Sequence, residues 1–171
     1  MAVNLHLNHY RFGINELAES THGWHANNDT DPAIGVIIPG VTFLLRFNVQ
    51  EIGGTQQLNF DNVFECRKNL GAWQAVTTTS TIAKAVTATP LTNGGNCTQR
   101  LAGTGTFEAT GAGQTTDGTS GGTANDIAAS GCSETECGLQ IIDADTVGGD
   151  VIDFRLTSPD ATLTYDVIAT V

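Results

Sequence analysis

The chain has 171 residues, which suits one domain around one core and is too short for two ordinary domains and a linker. Its 18 acidic side chains against 7 basic ones give a formal net charge of -11, which argues against nucleic acid as a partner because phosphate binding is mostly neutralisation by Lys and Arg. Hydrophobic residues at 40% mark a globular chain, and no apolar run approaches the roughly 20 residues that span a bilayer.

With 25 threonines and 20 glycines but only two lysines (Lys68, Lys84), the composition reads as β-rich: β-branched residues fit a pleated surface and glycines serve turns. The N-terminal stretch MAVNLHLNHYRF alternates and lacks the basic and apolar regions of a signal peptide. His6 and His9, three apart, point to opposite faces of such a strand and share no ligand site. Residues 13–40 are polar, broken by Gly13, Gly23, Pro32, Gly35, Pro39 and Gly40, and read as an extended arm. Its few large apolar residues, Trp24, Ile34, Val36, Ile37 and Ile38, are the candidate partner-binding residues, because exposed apolar side chains in a polar arm suggest docking. The ordinary alternative is that they pack on their own domain.

Residues 41–50 alternate cleanly, with Val41, Phe43, Leu45, Phe47 and Val49 on one face and Thr42, Leu44, Arg46, Asn48 and Gln50 on the other, which predicts a half-buried strand. Residues 57–67 place Leu58, Phe60, Phe64 and Cys66 on one side, then turn through 68–71 into 72–76 as a hairpin. The helix signal is weak: 14–18 suffices for one turn, and 81–86 is ambiguous. Residues 109–131 are almost free of large side chains and read as a long Gly/Thr-rich loop that projects outward or orders only at a subunit contact. Residues 137–142 form a short strand, 143–150 a turn, and 151–156 and 163–169 two further strands. The expected fold is a single all-β domain over 1–171, an antiparallel β-sandwich or jelly roll with an N-terminal arm and one long loop.

Chemistry-bearing motifs are few, and each has a plain structural reading. Cys66, Cys97, Cys132 and Cys137 lack zinc-ribbon spacing; they are candidate disulfide cysteines with three pairings open, Cys66 fitting equally a buried free thiol. His22-Gly23-Trp24-His25 with Asp29 and Asp31 has metal-binding residue types, but such a polar segment is more often plain loop. Gly118-Thr119-Ser120-Gly121-Gly122 looks like a serine-protease nucleophile loop, and His25, Asp61 and Ser120 satisfy the chain order of a triad. Gly/Ser/Thr-rich loops produce this pentapeptide by chance, and no supporting motif surrounds it. Asp143, Asp145 and Gly148 open like a calcium loop, yet Phe154 stands where a bidentate Glu is needed. Asn28-Asp29-Thr30 and Asn96-Cys97-Thr98 fit glycosylation acceptors, which matter only in a eukaryotic secretory setting. Catalytic, metal and cofactor assignments are therefore none.

One series of short motifs runs through most of the chain. Tyr10-Arg11-Phe12 is followed by Trp24, Leu45-Arg46-Phe47, residues 67–73 (RKNLGAW), Thr98-Gln99-Arg100-Leu101 and residues 103–107 (GTGTF). Leu139-Gln140-Ile141, Ala144-Asp145, residues 149–156 (GDVIDFRL) and Tyr165 close it. This order resembles a widespread group of small β-rich virion proteins of tailed bacteriophages, often encoded near head and tail structural genes. The resemblance implies a non-enzymatic structural role at the virion surface: a capsid decoration (cement) protein bridging capsomers, or a tail-tip or fibre module binding a host receptor or glycan through 109–131. It implies the major capsid protein and further copies of this chain as partners, a trimer suiting three-fold positions of a shell, and neither nucleic acid nor membrane. The cysteines and the Gly/Thr loop depart from that pattern.

Overall fold

The computed structural model describes residues 2–25, 37–109, 113–119 and 125–171, and its architecture is all-β, with one short 3-10 turn at Asp143–Asp145 and no α-helix among the described residues. Among the described residues thirteen strands follow in chain order: β1 (Leu5–Ile14), β2 (Phe43–Glu51), β3 (Gln57–Phe60), β4 (Val63–Lys68), β5 (Gln74–Ala75), β6 (Ala83–Ala85), β7 (Phe107–Glu108), β8 (Gln114–Thr115), β9 (Asn125–Ile127), β10 (Cys132–Ile141), β11 (Ile152–Thr157), β12 (Leu163–Tyr165) and β13 (Ala169–Thr170). The larger sheet runs β12-β1-β2-β10-β6, with β7 and β8 also pairing β10. A second sheet runs β13-β11-β4-β5, and β3 pairs β9. The long ladders are antiparallel, whereas β1 with β12, and β10 with β7 and β8, pair in parallel.

The two main sheets face each other across one core. Tyr10 and Phe12 of β1, Phe43, Leu45, Phe47 and Val49 of β2 and Leu139 of β10 meet Phe64 and Cys66 of β4 and Phe154 and Leu156 of β11. Phe43 meets Phe154 edge-on at 6.1 Å, and Phe47 meets Phe64 at 5.7 Å, so aromatic contacts tie the sheets together as a sandwich requires. The hairpin expected after residue 67 is present as β4–β5, with Cys66 opposite Gln74.

Four expectations change. β1 carries a bulge at Asn8, where Leu7 pairs Val49 and His9 pairs Asn48. The extra residue reverses the side-chain parity, so His6 and His9 share a face and Tyr10 and Phe12, rather than His9 and Arg11, continue the inward face begun by Leu5 and Leu7. Second, β2 is buried on both faces, because segments 15–25 and 86–104 cover its polar side. Third, residues 13–25 are no free arm: Trp24 bridges Gly13, and Ile14 N–H donates to Gly23 carbonyl at 2.9 Å. Fourth, the described parts of 109–131 do not project outward: β8 lies on β10, β9 on β3, and Thr119 bridges Val63.

Candidate functional site

The covered face of the larger sheet holds a closed cage of charge. Antiparallel register places Arg11, Arg46 and Glu136 side by side across β1, β2 and β10, with Asn48 opposite Glu134 one pleat along. Arg46 is fully buried; its guanidinium donates to the Thr98 carbonyl at 2.7 Å, Glu134 at 2.9 Å, Glu136 at 2.6 Å and Glu19. Glu19 also accepts from the Thr98 N–H, and Glu134 from the Arg100 and Leu101 N–H groups, so these carboxylates tie both covering segments to the sheet. Arg100 donates to the Glu19 and His22 carbonyls, and His22 Nε2 stands 2.9 Å from Glu136. Gly13 is needed here: a Cβ would lie 2.7 Å from the His22 ring.

Trp24 roofs this cage, with Arg100, Arg11 and Arg46 at 4.3, 4.7 and 5.9 Å from its ring and His22 edge-on at 4.8 Å. The remaining two arginines stack on the other tryptophan: Arg155 and Arg67 lie 4.3 and 4.5 Å from Trp73 on the outer face of the second sheet. All five arginines of the chain thus sit on its two tryptophans, and each cluster supplies its own carboxylates, Arg67 to Asp153 and Arg155 to Glu65 in the outer one. Desolvation opposes charge throughout the cage. Burial raises Glu134 despite Arg46, whereas Arg46 and the His22 hydrogen bond outweigh burial and lower Glu136. Arg46, flanked by carboxylates, is held well above its ordinary value against burial. These charges neutralise one another inside a covered layer, so the cage fastens the fold rather than presenting reactive groups.

All four cysteines are buried free thiols, as read for Cys66, so none of the three possible disulfide pairings is formed. Cys132 and Cys137, five apart on β10, face opposite sides, Cys66 lies on β4, and Cys97 packs in the covering segment near Arg46. Burial pushes the Cys66 thiol up to about 11 and raises Cys97, Cys132 and Cys137 as well.

Among the described residues no group of three or more His, Cys, Asp or Glu is placed to hold a metal. His22 is buried in the cage and His25 is exposed, so the pair is split. No hydrogen bond or ion pair joins His25 to Asp61 among the described residues, and Ser120 lies outside them. Asp150 accepts from the Val147 N–H and from Asn69, completing the 143–150 turn as an ordinary capped turn.

What the surface offers is an apolar end. A cleft of about 630 Å³ opens between Ile37 and Pro39, the 141–151 turn and the C-terminal Thr170 and Val171. A second cleft of about 220 Å³ adjoins it through Ile37 and reaches His25, Val41 and Phe43. Around them Ile38 (65%), Val41 (53%), Val147 (75%) and Val151 (44%) expose large apolar side chains. Of the five candidate partner-binding residues, Ile37 lines this end and Ile38 stands beside it, Trp24 belongs to the cage, and Ile34 and Val36 lie outside the described residues. Sequence reasoning overlooked Glu19, Arg100, Glu134 and Glu136; the signal available was the matching alternation of Arg46-Asn48-Gln50 with Glu134-Glu136. No protein-family model, curated protein or solved structure matches this chain.

Proposed function

We propose that this chain is a non-enzymatic structural protein of a tailed-phage virion, a decoration protein that docks on the capsid surface and bridges capsomers together with copies of itself. The observation that carries the reading is the apolar end around Ile37, Ile38, Val41, Val147 and Val151, an expanse that a monomer gains little by leaving in water. A standard interface covers about 800 Å² per partner, roughly a ninth of this chain's 7269 Å² surface, and such an end supplies its apolar centre. Apart from buried Glu51, which backbone N–H groups hold, the described acids not matched by the five arginines reach the surface, where like charge keeps particles apart. Support also comes from the motif series, whose Arg46, Arg67, Trp24, Trp73 and Arg155 build the two stacked clusters on the faces of the sheets away from the shared core.

The test is cryo-EM of the particle that carries the chain, at a resolution that traces backbone. Density on the shell lattice with the 37–41 and 147–151 end against another subunit is the expected result. Density confined to the tail would replace the decoration role with the adhesion one, and its absence from the particle would remove both.

A further inference from the structure

Three features of the larger cleft define what can enter it. Its floor and walls are apolar, built from Ile37, Ile141, Val151, Ile152 and Val171, and no Lys, Arg or His lines it. Its rim is acidic. Asp143 is exposed at the mouth and Asp150 lines the turn's far end; exposed Asp145 follows Asp143 on the same turn just outside the lining, and Lys68 stands 3.5 Å from Asp150 and donates to the Asp145 carbonyl at 2.7 Å. The third feature is a sheet edge that no other strand among the described residues pairs. β13 is the outermost strand of its sheet, and Val171 and Ile152 exchange both main-chain hydrogen bonds, at 2.9 and 3.0 Å. In an antiparallel ladder the next residue along directs its N–H and C=O the other way, so those of Thr170 face outward, and Thr170 lines the cleft.

We infer that this cleft receives an extended segment of another protein, which adds as a strand to the Thr170 edge, lowers alternate apolar side chains between Val147, Val151 and Val171, and carries Lys or Arg against Asp143 and Asp145. Main-chain pairing supplies the alignment and alternate side chains supply the selectivity, as in other strand additions. Charge excludes a second copy as the occupant. Of the chain's two lysines, Lys68 is already committed to Asp150 and Lys84 lies within β6, a strand already paired to β10; all five arginines are stacked on tryptophan, and an acidic rim repels a chain of net charge -11. The inference rests on the docking role proposed above and names the chemistry of the partner.

The test uses the full chain with labelled methyl groups and a synthetic peptide of alternating Val and Thr between paired lysines. The peptide should shift the methyl signals of Val147, Val151 and Val171 and the Thr170 amide, with the cage signals unmoved. Replacing its lysines by Glu should weaken binding about tenfold, the change from attraction to repulsion adding to the lost pairs, and Asp143→Lys in the protein should weaken it in the same direction. Val147→Glu, at a 75% exposed position that leaves folding intact, should abolish the shifts. Equal binding of the lysine and Glu peptides, no shifts at the cleft, or shifts that grow with protein concentration alone would overturn the inference, the last by identifying a second copy as the occupant. Peptide binding by a chain found nowhere on a virion would sink the decoration role and leave the cleft's chemistry standing. Shell density with the cleft facing solvent would do the reverse.

Discussion

Arg46→Met tests whether the cage fastens the covering segments to the sheet. Arg46 is fully buried and neutralises Glu134 at 2.9 Å and Glu136 at 2.6 Å, with a further bond to the Thr98 carbonyl at 2.7 Å. Breaking a buried pair by removing one partner costs about 3–5 kcal/mol, because the abandoned carboxylates stay desolvated. Glu134 keeps the Arg100 and Leu101 N–H groups and Glu136 keeps His22, so a loss of about 4 kcal/mol is expected, or about 8–16 °C in Tm for a chain of this size. The pH dependence supplies a second check. In the native chain Glu136 is lowered, so its contribution is present above the unfolded carboxylate value and lost as pH falls through the folded one. Without Arg46 burial dominates both glutamates and lifts their folded values above the unfolded ones. The folded variant then takes up protons more readily, and its deficit shrinks by about 1–2 kcal/mol between about pH 7 and pH 5. Urea unfolding of both proteins across that range measures this. A loss below about 1 kcal/mol, or a deficit that does not change with pH, would refute the reasoning.

Three further outcomes follow from the same geometry. Trp24→Leu, which strips the stack from Arg11, Arg100 and the fully buried Arg46, should cost about 2–3 kcal/mol in urea unfolding, against about 1 kcal/mol for Trp73→Leu, which carries only the half-buried Arg67 and Arg155; equal losses would contradict the roof role. None of the four buried thiols should react with a thiol reagent in the native protein, and all four should react together on unfolding, which stopped-flow absorbance reads directly. Gly118 has φ +89°, and a Cβ there would lie 2.0 Å from the Val76 carbonyl oxygen, so Gly118→Ala should lose about 2–4 kcal/mol while Gly148→Ala, facing open space, stays within about 0.5 kcal/mol.

Period-two alternation made β2, β4 and β11 readable, because a strand with one apolar face writes that face into every second residue, whereas the single strand expected over 163–169 divides into β12 on the larger sheet and β13 on the second. The same rule misled at Arg46, Asn48 and Gln50. Polar residues on alternate positions ordinarily face water, and here they face a second layer. That layer is non-local: Arg46 meets Glu19 from 27 residues before it and Glu134 from 88 residues after it, a pairing that no window of local sequence contains. The bulge at Asn8 was equally invisible, since one extra residue in β1 becomes a bulge only when β2 supplies the register. β10 was recognised only in its second half, because Cys132 to Glu136 mixes acids with small residues and becomes a strand through its neighbours on both sides.

Of the candidate site, the residues alone pointed to the apolar run ending at Ile37 and Ile38, since hydrophobic side chains in a polar stretch stand out by composition. They could not show that Val147, Val151 and Val171 close the same cleft, or that Thr170 leaves an edge open beside it. The β-rich class, the single core and the acidic exterior follow from residue types and their spacing, which act along the chain. Which polar face is covered, which cysteines stay apart and which apolar residues remain exposed follow from pairings between distant segments, where burial and charge are settled only once the sheets have closed.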